Sequence, residues 1–500
     1  MTSQARSHAG WRSAVPELPS RKLSGEASLA FVLAGFAGWL YRNGGFVWDD
    51  GPLIAQRLAQ ADVGQLLALW TSPVTDSGPG AAYYRPVSLT ILGVWGRLGP
   101  YSIHLFAAFV HALSAWLMVQ CCSRSRMALP FWGAMAFALH PLASEVLGWS
   151  SALPDALAVA LGLLAVYVGA ERPKLRFLFL LVGVLSKETA LLIPIAFMVG
   201  ERRWVGWIRP WVAALLVAGV LRINAGVSSS LDWVAKLDLL PSAMGWAIGA
   251  LAWPFPQHAV RDLHVAPLGT VILGWVVVFG LFWGARRRPE AMGGAILVVL
   301  AHLVAMPVVL DGYLLGERYS YPALVGLGVW VATMFQGVSL PKKWLGLPVF
   351  LLLGNHVAQV DRWKKDLKLF DRVETHAHGS SYAWHLLGVA QMNQSLFADA
   401  VWSFEGSIRG GNPYPGDRTL LLQALVLSGE PAEALAAAET GPTEDLTAQH
   451  VAWWARAAFE AGNIHRSREL LQTLKVGNKF DGPEWVPGLA GRVFRSDEAP

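Results

Sequence analysis

Residues 25–50 read GEASLAFVLAGFAGWLYRNGGFVWDD. The first part, roughly 25–42, is an apolar run preceded by Arg6, Arg12, Arg21 and Lys22, and the stretch ends in the adjacent carboxylates Asp49 and Asp50. Cations on one flank of such a run place that flank in the cytoplasm. No small-residue cleavage site follows, so the run reads as an anchor and not a removed signal peptide. Two carboxylates just outside a span are costly to place, and they mark a functional site by default.

Further apolar runs follow near 101–120, 128–148, 153–170, 175–199, 210–223, 240–253, 268–285, 291–310, 319–336 and 344–357. The chain has 500 residues, 54% hydrophobic and only 15% charged, with a mean hydropathy of +0.40. Soluble domains carry about a quarter charged residues, so this is a polytopic membrane protein. Many of the 24 tryptophans fall near run ends, as interfacial anchors do. The net charge of +5 calls for no nucleic-acid partner. Cys121 and Cys122 are adjacent and offer neither a disulfide framework nor metal-ligand spacing.

Basic loops at Arg124/Arg126, Arg172/Lys174/Arg176, Arg202/Arg203/Arg209, Arg286-Arg287-Arg288 and Lys342-Lys343 fix the parity when all are cytoplasmic. Ser186-Lys187-Glu188 interrupts the run 175–199, which therefore reads as two short helices meeting at the outer side. The run 240–253 breaks the parity and reads as re-entrant or half-spanning. At about 20 residues per span, the expectation is an all-α polytopic bundle of about eleven spans over 25–358, after a cytoplasmic tail 1–24. The outer loop is 43–86.

A linker, 359–379, leads to a more polar helical region, 380–475, and a tail, 476–500. The stretch Trp384…Leu387-Gly388…Ala400…Phe404…Pro413 has nearly the spacing of a tetratricopeptide repeat, whose period is 34 residues. Small residues recur at Ser395, Gly429 and Gly462, each ahead of a helix with a small inward residue: Ala400, Ala434 and Ser467. The region reads as about three repeats. A generic array of helical hairpins is the alternative.

Polar residues gather at outer helix ends: Asp49-Asp50, Tyr84-Arg85, His140 and Glu145, Asp155, Lys187-Glu188, and Glu317-Arg318, with Asp311 nearby. His104 and His111 lie i, i+7 on the second span and read as interhelical hydrogen-bonding groups or donor-lipid contacts. The bland readings are a helix cap for Asp49/Asp50, a snorkelling Arg85, an Arg318–Glu317 salt bridge and an internal Lys187–Glu188 pair.

Five motifs carry a resemblance: FVWDD (46–50), YYRPVSLT (83–90), HPLASEVLGW (140–149) followed by Pro154-Asp155, LSKE (185–188) and GERYSYP (316–322). In this order they resemble the transmembrane and tetratricopeptide-repeat O-mannosyltransferases, multi-spanning glycosyltransferases of the GT-C fold, over residues 25 to 475. Two features depart from that family: it usually has more repeats, and Ser151-Ala152-Leu153-Pro154-Asp155 lacks an Arg before the Asp.

The resemblance implies a polyprenyl-phosphate sugar donor and an inverting transfer of a mannose-like sugar to an acceptor hydroxyl. Asp49 then serves as general base, and Asp50 orients the acceptor or holds a divalent metal, the one cofactor left open. Arg85, Lys187 and Arg318 bind the donor phosphate. Tyr84, His140, Glu145, Asp155, Glu188 and Glu317 contact the acceptor or the sugar. The repeats recruit a protein acceptor on the outer face of a bacterial inner membrane, among membrane lipids and with no nucleic acid. A lipid or polysaccharide acceptor, a lipid transporter and a repeat scaffold are the other readings.

Overall fold

The computed structural model describes residues 21–495 apart from 76–81, 170, 202–203, 227–231, 256, 258, 260, 264–265, 313, 335–341, 371–379, 411–415, 441–446 and 477–478. Arg6, Arg12, Pro413, part of the outer loop and part of the linker fall outside the described residues, as does the side chain of Asp311.

Among the described residues, the regular structure is helical apart from three two-stranded ribbons. The membrane half contains α1 (Arg21–Trp39), α2 (Val63–Ala68), α3 (Pro86–Gly96), α4 (Pro100–Arg124), α5 (Pro130–Ala138), α6 (Ser144–Gly148), α7 (Leu153–Tyr167), α8 (Pro173–Val184), α9 (Ile195–Glu201), α10 (Trp204–Asn224), α11 (Leu240–Ala252), α12 (Leu268–Ala285), α13 (Pro289–Gly312), α14 (Tyr321–Met334) and α15 (Lys342–Val360). Among the described residues, five helical stretches are long and apolar enough to cross a membrane: Pro100–Arg124, Ser150–Tyr167, Gly206–Asn224, Leu268–Ala285 and Pro289–Leu310. The chain is an integral membrane protein.

All eleven expected runs carry helix, with unequal lengths. The run 128–148 is interrupted after Ala138: His140 is extended, as Pro141 favours for the residue before it, and helix resumes at Pro141–Ala143 and α6. The run 175–199 divides at Ser186-Lys187, as its charges require. Helix α11, at 13 residues and about 20 Å, is shorter than a hydrocarbon core of ~30 Å. Helix α3 was not expected from the sequence.

Helix α1 shows how the bundle packs. Ala27, Ala30, Ala34 and Ala37 are buried along one stripe facing α4, while Leu29, Val32, Phe36 and Trp39 point outward. In lipid no hydrophobic force drives apolar helices together, so small inward residues let backbones approach and large ones face the tails. Gly133 and Gly328 meet the same way: a Cβ on either would lie 2.5 Å from the other's carbonyl oxygen.

Three helical hairpins follow a short helix, α16 (Asp366–Phe370). They are α17 (Ser381–Asn393) with α18 (Phe397–Arg409), α19 (Asp417–Ser428) with α20 (Pro431–Thr440), and α21 (Ala448–Glu460) with α22 (Ile464–Thr473). Ser395, Gly429 and Gly462, at the hairpin turns, all have positive φ. Ala400, Ala434 and Ser467 are fully buried. Helix α23 (Val486–Arg495) buries Val486, Leu489, Ala490 and Val493 against the last hairpin. The first hairpin is not separate from the membrane half. Ala383, Trp384 and Leu387 of α17 belong to the same apolar core as α1 and α4.

Candidate active site

The acidic corner follows α1. Val47 is buried, Trp48 takes φ +58°, and Asp49 and Asp50 lead into a turn of π-helix, Gly51–Leu58. Asp50 stands at the N-cap of that helix but makes no capping hydrogen bond. Its fully buried carboxylate points back into the protein. Oδ1 accepts from the Ser151 amide at 2.8 Å and the Ser151 hydroxyl at 2.6 Å. Oδ2 accepts from the Ser150 amide at 3.2 Å and the Val47 amide at 3.3 Å.

Burial raises the Asp50 carboxyl to about 7, and the neighbouring Asp49 charge adds to this; the hydrogen bonds from Ser151 and Val47 pull the other way. A divalent ion does not fit at Asp50, since each oxygen already accepts two hydrogen bonds. In this structure Asp50 fastens the loop after α1 to Ser150 and Ser151. Among the described residues no cluster of three or more His, Cys, Asp or Glu is arranged to hold a metal.

The bond to Ser150 and Ser151 brings Trp149 beside Trp48, with the rings stacked 4.9 Å apart and 18° from parallel. The Arg318 guanidinium lies over the Trp149 ring at 4.5 Å and over Tyr319 at 4.6 Å. Glu145, fully buried, clamps Arg318 twice: Nη1 donates to Oε1 at 2.7 Å, and the Arg318 amide donates to Oε2 at 3.0 Å. Lys187 reaches to 5.5 Å from the Tyr319 ring and pairs with Asp155 at 2.6 Å. Arg85 pairs with Glu188 at 3.3 Å. These contacts link Asp50, Glu145, Asp155, Lys187 and Arg318, and the Arg85–Glu188 pair adjoins them because Glu188 follows Lys187 in the chain.

Several expected partners are exchanged. The hydrogen-bonded partner of Arg318 is Glu145, and that of Lys187 is Asp155. Glu317 instead pairs with Arg261 at 2.7 Å, both buried. A ribbon with register Arg261↔Leu315 brings the two together. Sequence reading missed Arg261, although Arg261-Asp262 is the charged centre of the loop between two apolar runs.

Two of the expected ligand-contacting groups make hydrogen bonds within the protein. The buried Tyr84 donates its hydroxyl to the Trp70 carbonyl at 2.9 Å. His140 uses both ring nitrogens, Nδ1 accepting from the Leu142 amide at 3.2 Å and Nε2 meeting the Leu251 carbonyl at 3.0 Å. In α4, His111 bonds Tyr321 Oη at 2.7 Å and the Ala138 carbonyl at 2.9 Å, and His104 bonds the Leu147 carbonyl at 3.2 Å. Both histidines are interhelical fasteners.

The repeats carry a separate groove of about 330 Å³, lined by residues including Arg409, Arg418, Leu421, Leu422, Ala438 and His450.

No protein-family model matches the chain, and no curated protein matches it. Among solved structures, the crystal structure of ArnT from Cupriavidus metallidurans bound to undecaprenyl phosphate is similar. The identity is 16%, with 91% of this chain and 92% of that chain covered, and the TM-score is 0.36.

Proposed function

We propose that the chain is a GT-C-type membrane glycosyltransferase that moves a mannose-like sugar from a polyprenyl phosphate to a hydroxyl of a protein acceptor. The observation that carries this reading is the joining of the acidic corner to three cation–carboxylate pairs through the Trp48–Trp149 stack and Arg318. The five family-like motifs supply the parts of that cluster.

In the reaction, the acceptor oxygen bonds to the anomeric carbon as the bond from that carbon to the phosphate oxygen breaks. The bonding electrons leave with the lipid phosphate, and the hydroxyl proton passes to Asp49, which is partly exposed. Asp50 holds the corner in place. Each candidate phosphate ligand already has a carboxylate partner, so the donor phosphate joins or displaces one. Arg85 is the most accessible of the three, its side chain 25% exposed against 5% for Lys187 and 19% for Arg318. A guanidinium offers phosphate two parallel hydrogen bonds.

The groove on the repeats, lined by Arg409, Arg418 and Glu405 together with apolar side chains, supports an extended polypeptide acceptor. We place the cluster and the repeats on the periplasmic face of a bacterial inner membrane. The test is a panel of labelled polyprenyl-phosphate sugars given to the purified protein with a membrane-plus-periplasm extract. Label on a protein band supports the reading. Label on a lipid band moves the acceptor class, and no label from any donor overturns the enzyme.

A further inference from the structure

Trp48 is one of three described non-glycine residues with positive φ, the others being Arg126 and Ser395. A bulky aromatic residue takes this conformation only when its surroundings impose it. Besides the stacked Trp149, the surroundings include the segment that joins the membrane half to the repeats. The Asp366 Oδ1 accepts from the Trp48 amide at 2.6 Å. Phe370 meets the Trp48 ring edge-on at 5.9 Å. Gly45 approaches so closely that a Cβ there would lie 2.7 Å from the Lys364 carbonyl oxygen, and Gly148 leaves no room for a Cβ beneath the Trp363 ring.

Residues 363–370 therefore touch both halves of the site, the acidic corner through Gly45 and Trp48 and the 145–151 segment through Gly148. Trp363, Leu369 and Phe370 are buried, which fixes α16 as it passes from the bundle to α17. Asp366 is the polar group that this segment applies to the corner, and it acts on the residue immediately before Asp49.

We infer that Asp366 is a positioning residue for Asp49: by accepting from the Trp48 amide it holds the left-handed turn that aims the base. The inference rests on the glycosyltransferase reading for what Asp49 does. It makes the entry to the repeats part of the site, not an appended module. The acceptor atom and its position matter more than the charge.

Three variants separate these properties. Asp366→Asn keeps an oxygen in place, Asp366→Glu keeps the charge but displaces it, and Asp366→Ala removes it. The readouts are hydrogen exchange of the amides in 46–50 in the full chain and the kcat–KM split of sugar transfer. The expected result is exchange faster by about tenfold or more in the Ala and Glu variants, with Asn close to the parent. Turnover falls about tenfold or more in the same two variants with KM unchanged, since small misplacements of a reacting group act on kcat.

Unchanged exchange in the Ala and Glu variants overturns the positioning role, as does an Asn variant as impaired as Ala. The Glu variant keeps the question answerable if Ala does not fold. Exchange needs no sugar donor. Accelerated exchange alongside a wild-type protein that transfers from no donor supports the fastening and overturns the glycosyltransferase reading alone.

Discussion

Asp50 and Ser151, 101 positions apart in the chain, are joined by two hydrogen bonds to a single carboxylate oxygen, at 2.8 and 2.6 Å. This contact divides the acidic pair. Asp50 ties the loop after α1 to the start of α7, and Asp49, partly exposed beside it, carries the proposed proton transfer. Ser151→Ala removes one of the four hydrogen bonds and is expected to cost ~1–2 kcal/mol. Asp50→Ala leaves three backbone amides without their acceptor and is expected to cost at least ~3 kcal/mol. Thermal unfolding in detergent checks the order of the two.

The Asp50 carboxyl, raised by burial from 3.8 to about 7, predicts a pH dependence. Its ionised form is the one suited to accept all four donors, so sugar transfer is expected to rise as pH passes upward through about 7. Stability runs the other way. A carboxyl with a raised folded pKa contributes stability that is full below its unfolded pKa and is lost as pH rises through the folded one. That contribution is therefore present below about pH 4 and gone above about pH 7. Paired rate and unfolding profiles from pH 5 to 8.5 check both signs, and Asp50→Asn should flatten both.

Lys187 and Asp155 form an ion pair with both side chains at most 5% exposed. Removing one partner strands a buried charge, so Lys187→Met and Asp155→Leu are each expected to cost ~3–5 kcal/mol. The double variant should recover most of that loss. Transfer should not recover with it, because the ammonium is one of the cations proposed for the leaving phosphate. Recovery of both would assign the pair a purely structural role.

Arg318 makes bonds through its amide and Nη1 to Glu145 and through Nη2 to Tyr319, while its plane lies on Trp149. Lysine cannot reproduce a planar fork. Arg318→Lys is expected to lower transfer ~10²-fold with a change in melting temperature of only a few degrees.

The helices were legible because apolar runs of span length and their breakers are local features. Pro141 ends α5, and Ser186-Lys187-Glu188 divides the run between Leu175 and Val199. The ion pairs were not legible. Glu317-Arg318 and Lys187-Glu188 look like pairs in sequence, yet adjacent side chains on a turn or helix diverge. Each residue pairs with one supplied by another segment: Arg261, Glu145, Asp155 and Arg85. Tyr84 and His140 carried a polar signal that sequence could not assign to a ligand or to a nearby carbonyl. Asp366 gave no signal at all, since its role depends on a linker folding back against a glycine and a strained tryptophan. The acidic pair itself was conspicuous, but the four hydrogen bonds that hold Asp50 appear only once Val47, Ser150 and Ser151 are placed.

The central claim is that Asp49 is the base in sugar transfer, and the direct measurement is the transfer rate of Asp49→Asn beside the parent protein at equal folded fraction. With a labelled polyprenyl-phosphate mannose as donor, the rate is predicted to fall by ~10²–10⁴, with the melting temperature unchanged and donor binding retained. A variant that transfers sugar within a few-fold of the parent contradicts the account.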